Sequence, residues 1–260
     1  MRVVFPADYF KSRQPDEAFT AQAEAFVSAG FKVSVWDENA RTLTLTPEVG
    51  ETVFYRGWMM TPQEYTELAQ RVIQVGARMF TSPEQYVAAH YLPNWYPLIP
   101  DLTPETVCFT ELEGIQDKLK KLGWDGFFVK DFVKSLKTSL GSRLEHADAI
   151  DVLMAEMEKF RGRIEGGLCV RRLEDFRPET EQRFFVLSGV LHSPIGEAVP
   201  KLVRLVAEKV HLPFYSVDII QRTDGVWRVV EIGDGQVSDL IGWDTETFVN
   251  VWKAEQRDKI

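Results

Sequence analysis

The segment Phe214–Gln236, FYSVDIIQRTDGVWRVVEIGDGQ, constrains the fold of this chain more than any other. Asp224-Gly225 is a hairpin turn signal, because both residue types tolerate the positive φ that a tight loop demands. β-Branched and aromatic residues flank it, so the chain is expected to double back there as two antiparallel strands. With a two-residue loop, Thr223 pairs with Val226 and Asp218 falls directly opposite Glu231. A four-residue loop keeps this register, whereas a three-residue loop would destroy it. Paired residues share a face, with Cβ atoms roughly 4.5–5.5 Å apart. The opposite face then carries Val217, Ile219, Val230 and Ile232, an apolar set for the core.

Like charges facing each other destabilise a sheet, so the pairing of two acids needs a reason. A divalent cation supplies one, because hard cations select carboxylate oxygens. Asp234, at the end of the second strand, is a candidate third ligand. Two other roles stay open for the pair: exposure or pairing with Arg222 or lysines, and acid/base work with a raised pKa.

Elsewhere strand and helix signals alternate, which indicates α/β or α+β architecture. Strands are expected at Arg2–Phe5, Lys32–Trp36, Thr42–Thr46 and Thr52–Tyr55, and a helix over Pro15–Ala29. Thr61-Pro62 with Glu64 starts a helix running to about Met79, and Ser82-Pro83-Glu84 repeats the signal. His90–Thr106 holds four prolines and no clean period, as a connection between domains does. Later helices are expected over Thr110–Leu122, Ala147–Phe160, Glu197–His211 and Gly242–Lys253, with strands at Asp125–Lys130, Gly167–Leu173 and Gln182–His192.

The net charge of −9 over 260 residues argues against general nucleic-acid binding, whose phosphates demand a basic surface. The only cysteines, Cys108 and Cys169, form no CxxC pair and suggest neither a disulfide framework nor a zinc site. The N-terminus lacks the basic and apolar regions of a signal peptide, and no stretch approaches the ~20 apolar residues of a membrane span. A soluble cytoplasmic protein is the expectation.

Two further clusters carry polar chemistry. In GFFVKDFVKSLKTSLGSRL, Lys130 ends an apolar strand, and a loop with Lys134, Lys137, Ser139 and Gly141 follows. Such a loop can cradle phosphates with its N–H groups, or can simply be solvated. In LCVRRLEDFRPETEQRFFVLSG, Glu181 and Arg183 share a strand face, where an arginine can grip phosphate or carboxylate or merely pair with a glutamate.

Read in order, these clusters resemble the ATP-grasp superfamily, over roughly Pro83–Asp239. FYRGWM, FVKDFVKS and EIGDGQVS look like a small subfamily of bacteria and phages. The resemblance implies an N-terminal α/β domain over 1–80 and an ATP-grasp domain over 81–260, with a lid at about 105–172 and a mainly antiparallel C-terminal part over 173–260. It implies ATP and Mg²⁺ as cofactors. Lys130 would contact phosphate, under a loop including Lys134, Ser139 and Gly141. An edge strand over Cys169–Leu173 would bond adenine through the backbone of Val170, Arg171, Arg172 and Leu173, and Glu181 would meet the ribose. Asp218 and Glu231 match the metal ligands, but Gly233 stands where an Asn is usual, so Asp234 is expected to take over. A clear earlier nucleotide lysine is also missing.

The implied chemistry is activation of a carboxylate as an acylphosphate, then attack by an amine or similar nucleophile, with Lys130 and Arg183 catalytic. The acid and the amine, small molecules or polypeptides, and the oligomeric state are left open. A phosphotransferase and an inactive nucleotide-binding module are the alternatives. Arg56 in Tyr55-Arg56-Gly57-Trp58 is a candidate grip for the substrate carboxylate, weighed against a structural ion pair. Trp95 and Tyr96 either line an acceptor pocket or pack as an aromatic cluster.

Overall fold

The structure is a computed structural model that describes residues 1–133, 141–194 and 197–257. β1 (Arg2–Pro6), helix α1 (Thr20–Ser28), β2 (Lys32–Asp37), β3 (Thr42–Leu43), β4 (Thr52–Tyr55), α2 (Pro62–Gln74) and β5 (Arg78–Met79) come first. They build a sheet of order β3-β2-β1-β4-β5, parallel except for β3. Thr61 caps α2 in a full capping box with Glu64, and Pro62 occupies a position whose N–H would have no helical partner. The helix stops at Gln74 rather than near Met79, because Gly76 at φ 79° turns the chain and Arg78–Met79 joins the sheet instead.

α3 (Pro83–His90) and α4 (Leu92–Trp95) then lead across the molecule. The proline-rich stretch thus holds a short helix and two 3₁₀ turns rather than an irregular connection. Trp95 is fully buried, and the Tyr96 hydroxyl accepts from the Thr106 N–H at 3.1 Å, so this pair packs as a structural cluster.

The middle of the chain forms a second sheet: β6 (Thr106–Phe109), α5 (Ile115–Lys120), β7 (Phe127–Asp131), β8 (Arg143–Leu144), α6 (Ile150–Arg161) and β9 (Leu168–Arg172). Its order is β6-β9-β7-β8, all antiparallel. Ile115, Leu119, Leu153 and Met157 of its two helices bury Val129 and Val170 on one face. Period-two alternation sends Phe128, Lys130, Cys169 and Arg171 to the other face, toward the third sheet. β9 lies between β6 and β7, so the expected edge strand over Cys169–Leu173 is corrected to a central one. Its amides are occupied by the ladder and its ends, with Arg172 N–H on the Glu105 carbonyl at 2.7 Å and Leu173 N–H on Gly126 at 3.1 Å.

β10 (Phe176–Leu187), β11 (Val190–His192), α7 (Lys201–Ala207), β12 (Phe214–Arg222), β13 (Trp227–Asp234) and α8 (Thr245–Arg257) complete the chain. The third sheet, β11-β10-β12-β13, is antiparallel. One face packs Val217, Ile219, Val229 and Ile232 against Val203 and Val206 of α7. The other packs Phe185 and Phe214 with α8 onto Val3, Phe5 and Phe54 of the first sheet, where Trp252 stacks on Phe54 with centroids 3.8 Å apart. The first and third sheets therefore share one core. Among the described residues, no helix is long and apolar enough to cross a membrane.

The β12–β13 hairpin departs from expectation in a way that preserves its outcome. Arg222 N–H bonds the Val226 carbonyl at 2.8 Å, which leaves a three-residue loop, Thr223–Gly225, with Gly225 at φ 90°. Gln221 consequently pairs with Trp227, and Ile219 with Val229. One residue further the register shifts: Val230 is the extra residue of a β-bulge, and Asp218 pairs with Glu231 after all. The bulge also changes the apolar face, which carries Val229 in place of the expected Val230.

Candidate active site

Three strands set three charged side chains in a row, and a fourth meets them from β7. Arg183 on β10 pairs with Asp218 on β12, which pairs with Glu231 on β13. Arg183 grips Asp218 through two nitrogens, Nε at 2.7 Å and Nη2 at 2.5 Å, a planar fork on a planar carboxylate. Across the cleft Lys130 of β7 reaches Glu231 Oε1 at 3.1 Å, with its side chain only 6% exposed. Burial pushes the Asp218 carboxyl above its ordinary value, and the charge of Glu231 adds to the rise while Arg183 opposes it. Partial burial acts to raise Glu231 too, but Lys130, Arg183 and Arg171 outweigh it and hold it low.

Above Glu231 a cavity of about 370 Å³ opens between the second and third sheets. Lys130, Arg171, Leu173 and Glu181 line it, with Phe128 and Phe176 as apolar walls. Of the strand residues singled out in sequence, Val170 is buried among α5 and α6, whereas Arg172 lies at the cavity wall with its guanidinium 3.6 Å from Glu105. Arg171 enters through its side chain. Its Nη1 donates to the Val230 carbonyl at 2.6 Å and its Nη2 to the Thr103 hydroxyl, so the unpaired backbone of the bulge holds the arginine in place. Arg171 Nε is buried without a partner, and burial lowers the guanidinium to about 10. No motif marked this side chain. Its alternation with Lys130 across β7 and β9 was the signal that could have found it.

Asp234 does not join the pair. Three positions along a strand reverse the face, so it points away from Glu231. It is fully buried, with Oδ1 accepting from the backbone and side chain of Gln236 at 2.9 and 3.0 Å. Where the side chain of residue 233 would lie, the hydroxyls of Ser216 and Ser238 meet at 2.8 Å, each 3.2 Å from a Cβ built on Gly233. Among the described residues no three His, Cys, Asp or Glu side chains converge as a metal site.

Arg56 lies in a structural setting. It is 2% exposed, its Nη1 donates to the carbonyls of Gln236 at 3.1 Å and Ser238 at 2.7 Å, and its Nε donates to Gln22 at 2.7 Å. Phe248 lies 4.8 Å from the guanidinium. It ties the first sheet to the loop after β13, and a substrate carboxylate has no access to it. Gly141 adopts φ 66° with open space around it, and Lys134, Lys137 and Ser139 lie outside the described residues.

The architecture is that of the ATP-grasp proteins. It superposes with a TM-score of 0.67 on D-cycloserine synthetase DcsG, at 15% identity over 98% of this chain and 99% of that one. The RimK-domain ATP-grasp protein of Sphaerobacter thermophilus gives 0.65 at 16% identity over 96% and 98%. The ATP-grasp ligase PsnB, complexed with minimal precursor, Mg and ADP, gives 0.59 at 15% over 98% of each chain. At such identity these similarities define the fold alone. Within that class, residues 94–252 match the model of the ATP-grasp domain, R2K clade family 3, and the chain belongs to that family. No curated protein matches the sequence.

Proposed function

We propose that this protein is an ATP- and Mg²⁺-dependent ligase that activates a carboxylate as an acylphosphate for attack by an amine or similar nucleophile. The observation that carries it is Lys130 on Glu231, with Asp218 opposite, at the floor of a cavity lined by a second buried cation, Arg171. Phe128, Leu173 and Phe176 offer apolar surface for a base, and Glu181 a carboxylate for ribose hydroxyls. Lys130 and Arg171 offer positive charge for phosphates, and Arg171 takes the part of the missing earlier lysine.

The donor set fits a hard cation. Asp218 and Glu231 share a face, as one or two carboxylates commonly do for Mg²⁺, with phosphates completing the shell. Asp218 and Glu231 would hold the ion, and it would offset charge on the transferring phosphoryl group. The hydroxyls of Ser216 and Ser238, on the same face, are the oxygens nearest the position usually held by Asn. Arg183, now on Asp218, would turn toward the transferring group and stabilise its charge. Lys130 would release Glu231 and neutralise a phosphate oxygen.

Structural neighbours that are synthetases, among them a D-cycloserine synthetase and a D-alanyl-alanine synthetase, favour ligation over bare phosphoryl transfer. The test is phosphate release from MgATP across panels of carboxylic acids, each with and without an amine. Release that needs both acid and amine supports a ligase. Transfer complete with the acid alone would make it a phosphotransferase, and ATP binding without release under any pairing would make it a nucleotide-binding module.

A further inference from the structure

The two cysteines, 61 positions apart in sequence (169 − 108), meet in space: Cys108 of β6 pairs directly with Cys169 of β9. The kind of pair follows from the ladder. The Arg172 N–H bonds the Glu105 carbonyl, so that pair exchanges hydrogen bonds. Hydrogen-bonded and non-hydrogen-bonded pairs alternate along an antiparallel ladder, which makes Arg171–Thr106 non-bonded, Val170–Val107 bonded and Cys169–Cys108 non-bonded. Non-bonded pairs bring Cα atoms to about 4.5 Å, inside the ~4.4–6.8 Å window that a disulfide accepts. Directly paired side chains also point the same way, so the Cβ vectors converge.

Both residues are free thiols in this structure. They are unequal. Cys169 is fully buried, whereas Cys108 is partly exposed. The neighbouring Cys169 thiol, with Arg171 and Lys130 nearby, favours the Cys108 thiolate, while burial pushes the Cys169 thiol up. Cys169 is also the direct partner of Lys130 on β7, so the thiol pair lies on the cleft face of the second sheet.

We propose that Cys108 and Cys169 are a peroxide-oxidisable dithiol that closes to a reversible cross-strand disulfide, with Cys108 the attacking thiol and Cys169 the resolving one. Cys108 sulfur attacks one oxygen of hydrogen peroxide. The S–O bond forms, the O–O bond breaks, and the leaving oxygen departs as water with the thiol proton, giving a sulfenic acid. Cys169 sulfur then attacks the sulfenic sulfur. The S–S bond forms, the S–O bond breaks, and hydroxide leaves as water with the Cys169 proton. The net change is two thiols and one peroxide to one disulfide and two waters.

The test is to reduce the purified protein, remove the reductant, add a small excess of hydrogen peroxide and map the cysteines by mass spectrometry after denaturation. The expected product is a monomer lighter by two hydrogen atoms, with the Cys108 and Cys169 peptides linked and released by dithiothreitol. Cys169→Ser should stop at a Cys108 sulfenic acid trapped by dimedone, and Cys108→Ser should slow Cys169 modification roughly tenfold or more, since the buried partner lacks thiolate character. A wild-type product with Cys108 over-oxidised and Cys169 intact, a linkage between chains, or no thiol loss would each overturn the proposal without recourse to the variants.

Discussion

Asp218 and Glu231 stand directly opposite each other, each held by its own cation, Arg183 on β10 and Lys130 on β7. The row cation–anion–anion–cation is neutral as a whole, which makes the central repulsion tolerable. The side chain of Asp218 is 4% exposed and that of Glu231 44%, so the outer acid, with its lysine, is the one free to exchange partners. On the proposed function, a phosphate entering the cavity would compete with Glu231 for Lys130, and a cation would compete with Arg183 for Asp218.

ATP with Mg²⁺ should raise the melting temperature more than either alone. Saturation a hundredfold above Kd adds ~2.7 kcal/mol to stability. The Asp218→Asn/Glu231→Gln double variant keeps the shape of both groups, and its metal-dependent gain is expected to vanish. An undiminished gain in that variant, read by thermal denaturation, would remove the metal role of the pair.

Lys130→Ala should lower kcat/KM for ATP on the order of 10²-fold or more, the usual loss when one charge-stabilising donor is removed from a closed site. The apo protein should be affected less, since Glu231 is partly solvated once its partner is gone. Turnover at the wild-type level in steady-state kinetics would move Lys130 out of the site.

Arg56→Ala should act on stability. It takes the donor from the Ser238 carbonyl and from Gln22, leaves the Gln236 carbonyl with the Gly57 N–H alone, and opens space beside Phe248, a loss of about 3 kcal/mol. Urea denaturation checks this. If stability is kept while KM for the acid substrate rises, Arg56 belongs to the substrate after all.

Asp234 makes stability depend on pH. Burial raises its carboxyl to about 7 in the folded protein, against an ordinary value near 3.8 in the unfolded chain. Gln236 and Arg56 act in the opposite direction without overcoming it. The folded state therefore holds a proton that the unfolded state has lost, and its contribution is complete below pH ~4 and lost as pH rises through ~7. The shift corresponds to a few kcal/mol, at ~1.36 kcal/mol per pH unit. Asp234→Asn should flatten that part of the curve in chemical denaturation run from pH 4 to pH 8, and an unchanged slope would show the carboxyl to be ionised throughout.

Legibility differed among these residues for physical reasons. Asp218 and Glu231 were placed opposite each other from the turn signal, yet the loop has three residues and the bulge restores what it displaces; hairpin ends can be read locally, whereas bulges depend on what the freed backbone touches, here Arg171. Proximity in sequence makes Asp234 a candidate ligand, but strand parity places it on the far side. Position along the chain cannot distinguish a central strand from an edge one, because β9 acquires its neighbour β6 from some 60 residues earlier, at Thr106–Phe109. The sequence leaves Arg56 open between a carboxylate grip and a structural ion pair, because buried structural arginines and binding arginines use the same fork of donors. The helix caps were legible because Thr61 and Ser82 act on their own first turns.

The bulge at Val230 amounts to a phase correction. Two one-residue slips, one in the loop and one in the strand, cancel before the chain reaches Glu231. Each slip alone would turn every later side chain of β13 over, burying Glu231 and exposing Ile232. Deleting Val230 by itself should therefore scramble the sheet, while the same deletion combined with one residue added to the Thr223–Gly225 loop should restore it. The turn and the acids are thus joined by an adjustable joint, so that the tip of the hairpin is free to change length only when the joint changes with it.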